Sequence, residues 1–347
     1  MNNKPVSNRP RTSVSGSTGV NAKKKKKKLS VPAVIIISIT AVLLVVVLVL
    51  GGLVIRKYAR IQAQQEDLNN LYPDAVTETT SGSSGGSSDG FGQQTDIPEE
   101  PESEPIDTAT GILPSFEELH KINSDVIGFV KIPGTRLSTP VVQGQDNSYY
   151  LNHDYYKQNA LGIPFADANA TITPDKQSLN VTIYGHSAKD GSYFAPLKDY
   201  NSLEFYQKYP LMTFDTIYGK GTYKIVGAFL AKVKTKADEA EDPEWFNYHS
   251  YIDMTNEEFD TFVKEMNKRT FFNTDVDLTY GDQLVTLSTC DTEIIPSGDT
   301  PYRMVVVARK VRANETTQVD TSKATANKEM VMPKAWQDKY GKANPYK

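Results

Sequence analysis

The chain has 347 residues, a formal net charge of −4, four His and a single Cys. That length allows one sizeable core and two or three domains, and a single Cys excludes both an intramolecular disulfide and any site built from several thiolates. The charge is uneven, because residues 1–30 carry nine basic side chains and no acid. The remainder is therefore strongly acidic, so no nucleic acid partner is expected, since phosphate contact requires a basic surface.

A long apolar segment follows the basic N-terminus. Val34–Ile55 contains no charge and no Pro, and as a helix it would span roughly 33 Å, enough for a bilayer core. The alternative is a cleavable signal peptide, but its apolar stretch is normally about 7–15 residues long and ends at a small-residue cleavage site. We predict a cytoplasmic N-terminus over 1–30, because basic flanks stay inside, and a transmembrane signal-anchor over 31–55. Everything later is expected outside the cell.

Residues 56–110 have the composition of a tether. From residue 61 onward the stretch contains eleven acids, no Lys or Arg, and a Ser/Gly run at 81–88. Such a sequence buries too little apolar surface to offset the entropy of the chain. We therefore predict a disordered acidic tether over 56–110, and, for its polar composition, a C-terminal extension over 313–347.

The predicted folded body covers residues 111–312. Short β-branched or aromatic runs alternate there with turn residues, which is typical of a mostly antiparallel barrel or sandwich. The clearest of these runs are Val126–Pro133, Thr139–Val142, Leu179–Tyr184, Thr222–Val233, Gln283–Thr289 and Arg303–Arg309. The prediction is a mostly β fold, a β-barrel with added helices.

Two capping-box patterns mark predicted helix starts within this body. Ser115-Phe-Glu-Glu118 opens a short helix toward Ile122, and Thr255-Asn-Glu-Glu258 opens a longer one. Apolar residues follow the second box at helical spacing, which predicts a face that packs onto a sheet. They are Phe259, Phe262, Val263 and Met266.

Cys290 is the candidate nucleophile. It stands where a strand-like run stops and a polar loop begins with Asp291, so we expect its sulfur near the surface. A lone Cys is more often a small buried apolar residue, but a thiol outside the cytoplasm is prone to oxidation unless it has a use. At its reference pKa of about 8.5 a thiol needs a partner to act at neutral pH.

His186 matches the position of Cys290. It follows the apolar run that ends at Tyr184 and precedes a polar turn, so both residues lie at a strand end that faces a loop. A lone His in a turn is more often structural, but the shared position favours a Cys–His couple. The competing histidines are His120, His153 and His249.

Arg303 is the candidate for stabilising a developing oxyanion, which needs a positive group. Cys290 and Arg303 bracket the loop 291–302 between two runs that resemble neighbouring antiparallel strands. Pairing of those strands would place Arg303 near the sulfur. Arg309 shares the same face, but six residues at about 3.3 Å each put it roughly 20 Å away.

Three motifs, taken together and in this order, resemble a sortase. They are Tyr184-Gly-His186, Thr286-Leu-Ser-Thr-Cys290 and Arg303-Met-Val-Val-Val-Ala308. Sortases are membrane-anchored cysteine transpeptidases of Gram-positive bacteria, and the resemblance covers about residues 112–310. The helix before the cysteine strand resembles class B in particular, as do Ile132-Pro-Gly134, Pro140-Val-Val-Gln-Gly144 and Asp146-Asn-Ser-Tyr-Tyr-Leu151.

The resemblance implies a closed antiparallel or mixed β-barrel of about eight strands with added helices. It also implies the catalytic residues His186, Cys290 and Arg303 and substrate contacts at Asn147, Leu151 and Ser288. The expected reaction cleaves a C-terminal sorting signal of a surface protein, after a Thr in an Asn-Pro-type or related pentapeptide, through a thioester on Cys290. The acyl group would then pass to an amine of the peptidoglycan precursor lipid II at the membrane. No cofactor is expected, and no acidic cluster has the spacing of a calcium loop.

Three alternatives stay open on the sequence. A sortase could polymerise pilins instead of anchoring proteins to the wall. A papain-like hydrolase also uses Cys and His, but its Cys precedes the His and begins a helix, whereas His186 comes 104 residues before Cys290. A non-catalytic surface binding module on a stalk would share the anchor, the tether and the β-rich head.

Overall fold

The computed structural model describes residues 31–72, 104–232, 245–291, 302–331 and residue 337, with Cys290 and Asp291 described as backbone. The chain divides into two compact units, Met1–Arg56 and Lys57–Lys347. The predicted cytoplasmic N-terminus and most of the predicted tether lie outside the described residues.

Helix α1 runs from Val31 to Leu71. Val31 and the Val, Ile and Leu side chains from Ile35 to Ile55 are exposed, and the helix is long and apolar enough to cross a membrane. Because exposed apolar surface of this extent is unfavourable in water, this part of α1 suits the predicted signal-anchor.

The second part of α1 differs from the predicted tether. Residues 57–72, here called the α1 extension, belong to the second unit, and a face of the helix is buried there. Ile61, Leu68 and Tyr72 recur at i, i+7 and i+11 and are each less than 5% exposed. This helical spacing produces an apolar stripe that packs on the body, so acidic composition was a poor guide over 57–72.

The second unit is built on a closed eight-stranded barrel, as predicted. Its strand order is β1-β2-β3-β4-β8-β9-β6-β5, and β7 pairs with β10 in a separate two-stranded sheet. The pairs β2–β3 and β4–β8 are parallel and the others are antiparallel, so the barrel is mixed. The strands are β1 Val126–Lys131, β2 Ser138–Val142, β3 Phe165–Ala166, β4 Asn180–Gly185, β5 Leu211–Thr216, β6 Thr222–Lys232, β7 Phe272–Asn273, β8 Leu284–Asp291, β9 Tyr302–Lys310 and β10 Thr325–Ala326.

The described part of the second unit contains three further α-helices, α2 Glu117–Ile122, α3 Leu203–Lys208 and α4 Asn256–Arg269. The predicted box at Thr255 is confirmed, because its hydroxyl accepts from the Glu258 amide while the Glu258 side chain accepts from the Thr255 amide. The predicted box at Ser115 is wrong. Pro114 starts a 3₁₀ turn there, and α2 begins after Phe116 without a side-chain cap.

Helix α4 packs its apolar face on the barrel, as the spacing predicts. Phe259, Phe262 and Met266 are buried together with outward-facing residues of β6 and β9. Gly227 makes the close approach possible, because a Cβ there would lie 3.1 Å from the Met266 sulfur. The register of β6 also shifts at this glycine, as expected of a β-bulge.

The predicted polar extension over 313–347 is ordered in its first part, because residues 311–331 pack against the barrel and α4. The Arg309 guanidinium, buried at the end of β9, donates to both carboxylate oxygens of Glu315 at 2.6 and 2.7 Å. Lys224 donates to the same carboxylate at 2.7 Å. These charge-assisted bonds hold the C-terminal segment to one end of the barrel.

Candidate active site

The three predicted catalytic residues occupy neighbouring positions in the barrel sheet. In the parallel pair β4–β8, Gly185 pairs with Thr289, so His186 follows next to Cys290 along the two strands. In the antiparallel pair β8–β9, Cys290 pairs with Arg303. The backbones of all three therefore meet at one edge of the barrel, where β4 and β8 end and β9 begins.

A cavity of about 310 Å³ opens at this edge. Apolar and aromatic side chains form most of its wall, and two histidines and two cations reach it. Its lining residues are Asn147, Leu151, Ile163, Phe165, Tyr184, Gly185, His186, Lys232, Trp245, Phe246, Tyr248, His249, Ser288 and Arg303. The predicted substrate contacts Asn147, Leu151 and Ser288 all belong to this wall.

The half-buried ring of His186 is held by a backbone carbonyl. Its Nε2 lies 2.8 Å from the carbonyl oxygen of Leu151. A carbonyl can only accept a hydrogen bond, so Nε2 must carry a proton and donate. In the neutral ring this assigns the other nitrogen, Nδ1, the role of acceptor.

Gly185 brings the end of β4 close to the aromatic ring of Phe194. A Cβ on Gly185 would lie 2.7 Å from that ring, closer than packed carbons approach. The carbonyl of His186 also accepts from the Phe194 amide at 3.1 Å. Glycine is therefore needed in front of His186 for the turn to fold back onto the strand.

A buried carboxylate supports the cavity wall from behind. Asp167 Oδ2 accepts from the Tyr184 hydroxyl at 2.7 Å and from the Asn147 side chain at 3.0 Å. The side-chain oxygen Oδ1 of Asn147 in turn accepts from the Ala168 amide at 2.8 Å. Burial, followed by the bond to Asp167, raises the pKa of Tyr184, so its hydroxyl is a fixed donor at neutral pH.

Residues 245–249, which precede α4, form another part of the wall. The Tyr248 hydroxyl lies 2.7 Å from the hydroxyl of Ser288, which ties this segment to β8. The neighbouring His249 also lines the cavity. Partial desolvation lowers its pKa below the ordinary value of 6.5, against the opposing charge of Asp167.

Arg303 reaches the cavity from the start of β9, and its side chain is half-buried. Its positive charge lowers the pKa of Tyr184, opposing the larger effect of burial. The alternative considered from the sequence, Arg309, pairs with Leu284 at the far end of β8 and is engaged with Glu315. The geometry therefore favours Arg303 over Arg309 as the cation at the cavity.

Sequence reasoning missed several cavity residues. Tyr184 could have been found, because it lies two residues before His186 on a strand and therefore on the same face. Tyr248 and the supporting Asp167 behind the wall could not, because long-range packing brings them into place from unpredicted connections. Among the described residues, no three His, Cys, Asp or Glu side chains come together in a way that could hold a metal ion.

The closed mixed barrel, with His, Cys and Arg at adjacent strand ends, defines a class of protein. The Sortase domain model matches residues 130–311, and the chain belongs to the sortase family.

Its relatives are class B sortases. The chain is 32% identical to sortase B of Staphylococcus aureus (strain NCTC 8325 / PS 47) over 204 residues, which is 58% of this chain and 77% of that protein. The fold is similar to a Staphylococcus aureus sortase B–substrate complex, with a TM-score of 0.54, 25% identity and coverage of 75% of this chain and 100% of that chain. A sortase B structure complexed with triglycine gives a TM-score of 0.53 at 26% identity, covering 74% of this chain and 99% of that one.

Proposed function

We propose that this sortase is a class B cysteine transpeptidase that cleaves a sorting signal through a thioester on Cys290. His186 acts as the proton-transfer group and Arg303 as the oxyanion or substrate-backbone donor. The observation that carries the proposal is the strand register, in which Cys290 pairs with Arg303 and follows beside His186.

The first half-reaction forms the acyl-enzyme. The Cys290 thiolate attacks the carbonyl carbon of the scissile peptide bond, and Arg303 donates hydrogen bonds to the oxygen on which negative charge develops. The carbon–nitrogen bond then breaks, and the imidazolium of His186 gives its proton to the leaving amine. Because Nε2 is bound to the Leu151 carbonyl, the proton is transferred at Nδ1.

The second half-reaction resolves the thioester. An acceptor amine attacks the thioester carbonyl, His186 takes the proton that the amine loses, and the carbon–sulfur bond breaks to regenerate the Cys290 thiolate. Preference for an amine over water distinguishes a transpeptidase from a protease. The sortase B complexed with triglycine supports a peptide amine as the acceptor, and we propose lipid II as its source in the cell.

The cavity supplies the site for the sorting signal. It is of the size and apolar lining usual for binding a few residues of a peptide, and the sortase B–substrate complex supports substrate binding on this fold. We propose that Leu151 and Ser288 contact the peptide directly. Asn147 contacts it from a side chain that is also bound to Asp167 and Ala168.

The proposed reaction takes place at the outer surface of the membrane. We propose that α1 anchors the chain with the N-terminus in the cytoplasm and the barrel outside, because the basic run precedes the apolar segment. A substrate protein and a lipid-linked acceptor would then be held at the same outer surface.

The proposal can be tested with the full chain in detergent micelles. The chain is incubated with a pentapeptide library built on Asn-Pro-X-Thr, with and without triglycine or a diamino acid, and the products are identified by mass spectrometry. We expect amine-dependent ligation after the Thr. Cys290→Ala is expected to abolish both cleavage and transfer.

A matched control compares His186, which lines the cavity, with a histidine outside it. His120 lies on α2, and its substitution His120→Asn is expected to leave transfer within twofold of the wild type, whereas His186→Asn removes it. Transfer retained in Cys290→Ala would refute the proposal. Cleavage without any ligation at high amine concentration would make the chain a hydrolase instead.

A further inference from the structure

The α1 extension is fixed firmly to the barrel at its C-terminal end. Tyr72 stacks on Phe129 with ring centroids 4.4 Å apart, and its hydroxyl donates to Asp215 Oδ2 at 2.7 Å. Tyr72 and Leu68 are both almost fully buried. The extension therefore has a defined position on the second unit.

Two side chains of the α1 extension reach the connection between β2 and β3. Gln64 Nε2 donates to Asp154 Oδ2 at 3.1 Å, and Arg60 Nη2 donates to Gln158 Oε1 at 2.7 Å. Both accepting residues belong to one loop, residues 151–163, which we call the 151–163 loop. The extension thus contacts this loop through directed polar bonds as well as apolar packing.

Asp154 organises the turn at the centre of the 151–163 loop. Its Oδ1 accepts from the backbone amides of Tyr156 at 3.0 Å and Gln158 at 2.9 Å, while Oδ2 accepts from Gln64. The carboxylate is only 3% exposed. Because a buried carboxylate is costly to leave without donors, its bond to Gln64 ties the position of the turn to that of the helix.

The 151–163 loop is closed on itself, so movement of its turn is passed to its ends. The Ala160 amide donates to the Asn152 carbonyl at 3.0 Å, and the Ile163 amide donates to the His153 carbonyl at 3.1 Å. Gly162 lies against the Leu151 peptide so tightly that a Cβ would come within 2.6 Å of the Leu151 carbonyl oxygen. These contacts hold the two ends of the loop together.

The Leu151 carbonyl is the group that accepts from His186 Nε2 at 2.8 Å. We propose that Gln64 is a positioning residue for His186, acting through Asp154 and the 151–163 loop on the Leu151 carbonyl. The consequence for catalysis rests on the proposed function, but the effect on the His186 ring does not. In this proposal the α1 extension helps to position His186 in the candidate active site.

The test uses the full chain in detergent micelles, labelled with ¹⁵N-histidine. The chain has four His, so the spectrum is simple, and His186→Asn identifies the signals of His186. Gln64→Glu places a second carboxylate against Asp154, and the repulsion is expected to displace the loop. The matched control is Gln62→Glu, which makes the same change at an exposed position of the same helix.

In the wild type, the neutral His186 ring is expected to be the tautomer that is protonated at Nε2. Gln64→Glu is expected to shift the His186 nitrogen signals toward a mixture of tautomers and to lower kcat about tenfold, with KM changed less than twofold. Gln62→Glu is expected to match the wild type in both measurements. Signals of His186 that are unchanged in Gln64→Glu, or changed equally in Gln62→Glu, would overturn the proposal.

A second substitution separates positioning from simple loss of stability. In the double variant Gln64→Glu with Asp154→Asn, the new amide can donate to the new carboxylate, so the pair is bonded again in reverse. We expect this double variant to recover the wild-type His186 signals and kcat. A double variant as perturbed as Gln64→Glu alone would count against positioning through Asp154.

The two proposals can fail separately. If Cys290→Ala retained transfer, the proposed function would fail while the nitrogen signals of His186 still reported on its position. If the wild type catalysed transfer but Gln64→Glu left kcat and the His186 tautomer unchanged, only the positioning role would fall.

Discussion

Two arginines on the same strand, Arg303 and Arg309, have opposite surroundings. Arg303 is the second residue of β9, is half-buried and lines the cavity beside Tyr184. Arg309 is the last but one residue of the strand, its side chain is 1% exposed, and Glu315 accepts two of its hydrogen bonds. Both lie on one face of one strand, but Arg303 lines a cavity whereas Arg309 is buried in an ion pair.

The difference shows how the barrel separates stability from chemistry. At the Arg309 end, the positive charges of Arg309 and Lys224 share the carboxylate of Glu315. These two ion pairs hold the C-terminal segment, which contains Glu315, against the barrel. At the Arg303 end, two histidines and two cations border a cavity, an arrangement that suits binding of a polar substrate backbone.

The largest expected effect comes from removing the carboxylate at the stable end. Glu315→Ala leaves the buried Arg309 and Lys224 without their shared partner, which typically costs about 3–5 kcal/mol. Denaturant unfolding measures the loss, and the activity of the protein that remains folded is expected to be unchanged. Glu329→Ala, at an exposed position of the same segment, is the control. Equal stability of the two variants would contradict a structural role for Glu315.

The same substitution at the two arginines is expected to have opposite consequences. Arg303→Lys loses the planar guanidinium and is expected to lower kcat/KM about a hundredfold with little change in unfolding. Arg309→Lys is expected to lower the free energy of unfolding by about 2 kcal/mol with kcat/KM unchanged. Transpeptidation rates and denaturant unfolding on both variants check this. Loss of activity in Arg309→Lys, or loss of stability without loss of activity in Arg303→Lys, would contradict the different roles of the two arginines.

A smaller effect is expected on the stability of the protein at acidic pH. The bonds from Arg309 hold the pKa of Glu315 well below its usual 4.5, so the stability that this carboxylate contributes is complete above about pH 4.5. It is lost as the pH falls toward the lower folded-state pKa. The difference in unfolding free energy between the wild type and Glu315→Gln is therefore expected to shrink from pH 5 to pH 2. A constant difference over that range would contradict the cited cause.

The smallest expected effect lies in the cavity wall. Ser288→Ala removes the hydrogen bond to Tyr248 and is expected to cost about 1 kcal/mol of stability with a few-fold rise in KM. Ser250→Ala, at an exposed position nearby, is expected to change neither. Thermal unfolding and peptide titration measure the two quantities, and an unchanged KM for Ser288→Ala would place the peptide elsewhere.

Much of the barrel could be predicted because its strands are long and β-branched. The runs starting at Val126, Thr222 and Gln283 were found within one or two residues of β1, β6 and β8. Strand β5 was missed because Thr213 and Asp215 interrupt its apolar run. The two-residue strands β3, β7 and β10 are too short to leave a pattern.

The two terminal segments were predicted less well, for a common reason. The α1 extension was assigned to a tether from its acidic composition, although Ile61, Leu68 and Tyr72 recur at helical spacing. The segment 311–331 is polar, but its charges bind buried partners such as Arg309. Composition averages over a segment, whereas a few well-placed residues decide whether it packs.

The candidate site could be predicted only as far as local sequence reaches. The strand ends at His186 and Cys290 and the antiparallel connection to Arg303 are local features, and the register agrees with them. The supports of the site are not local. Asp167 accepts a hydrogen bond from Tyr184 of the cavity wall. Gln64 donates to Asp154, in the loop that follows Leu151, from a distant part of the chain.

The proposed reaction requires a covalent acyl intermediate on Cys290, beside His186 and Arg303. Mass spectrometry of the full chain, incubated with a cleavable pentapeptide in the absence of an acceptor amine, can detect this intermediate. We expect an adduct of the N-terminal acyl part of the peptide on the fragment that contains Cys290, released by hydroxylamine and missing in Cys290→Ala. Cleavage of the peptide with no adduct on that fragment, or at the same rate in Cys290→Ala, would contradict it.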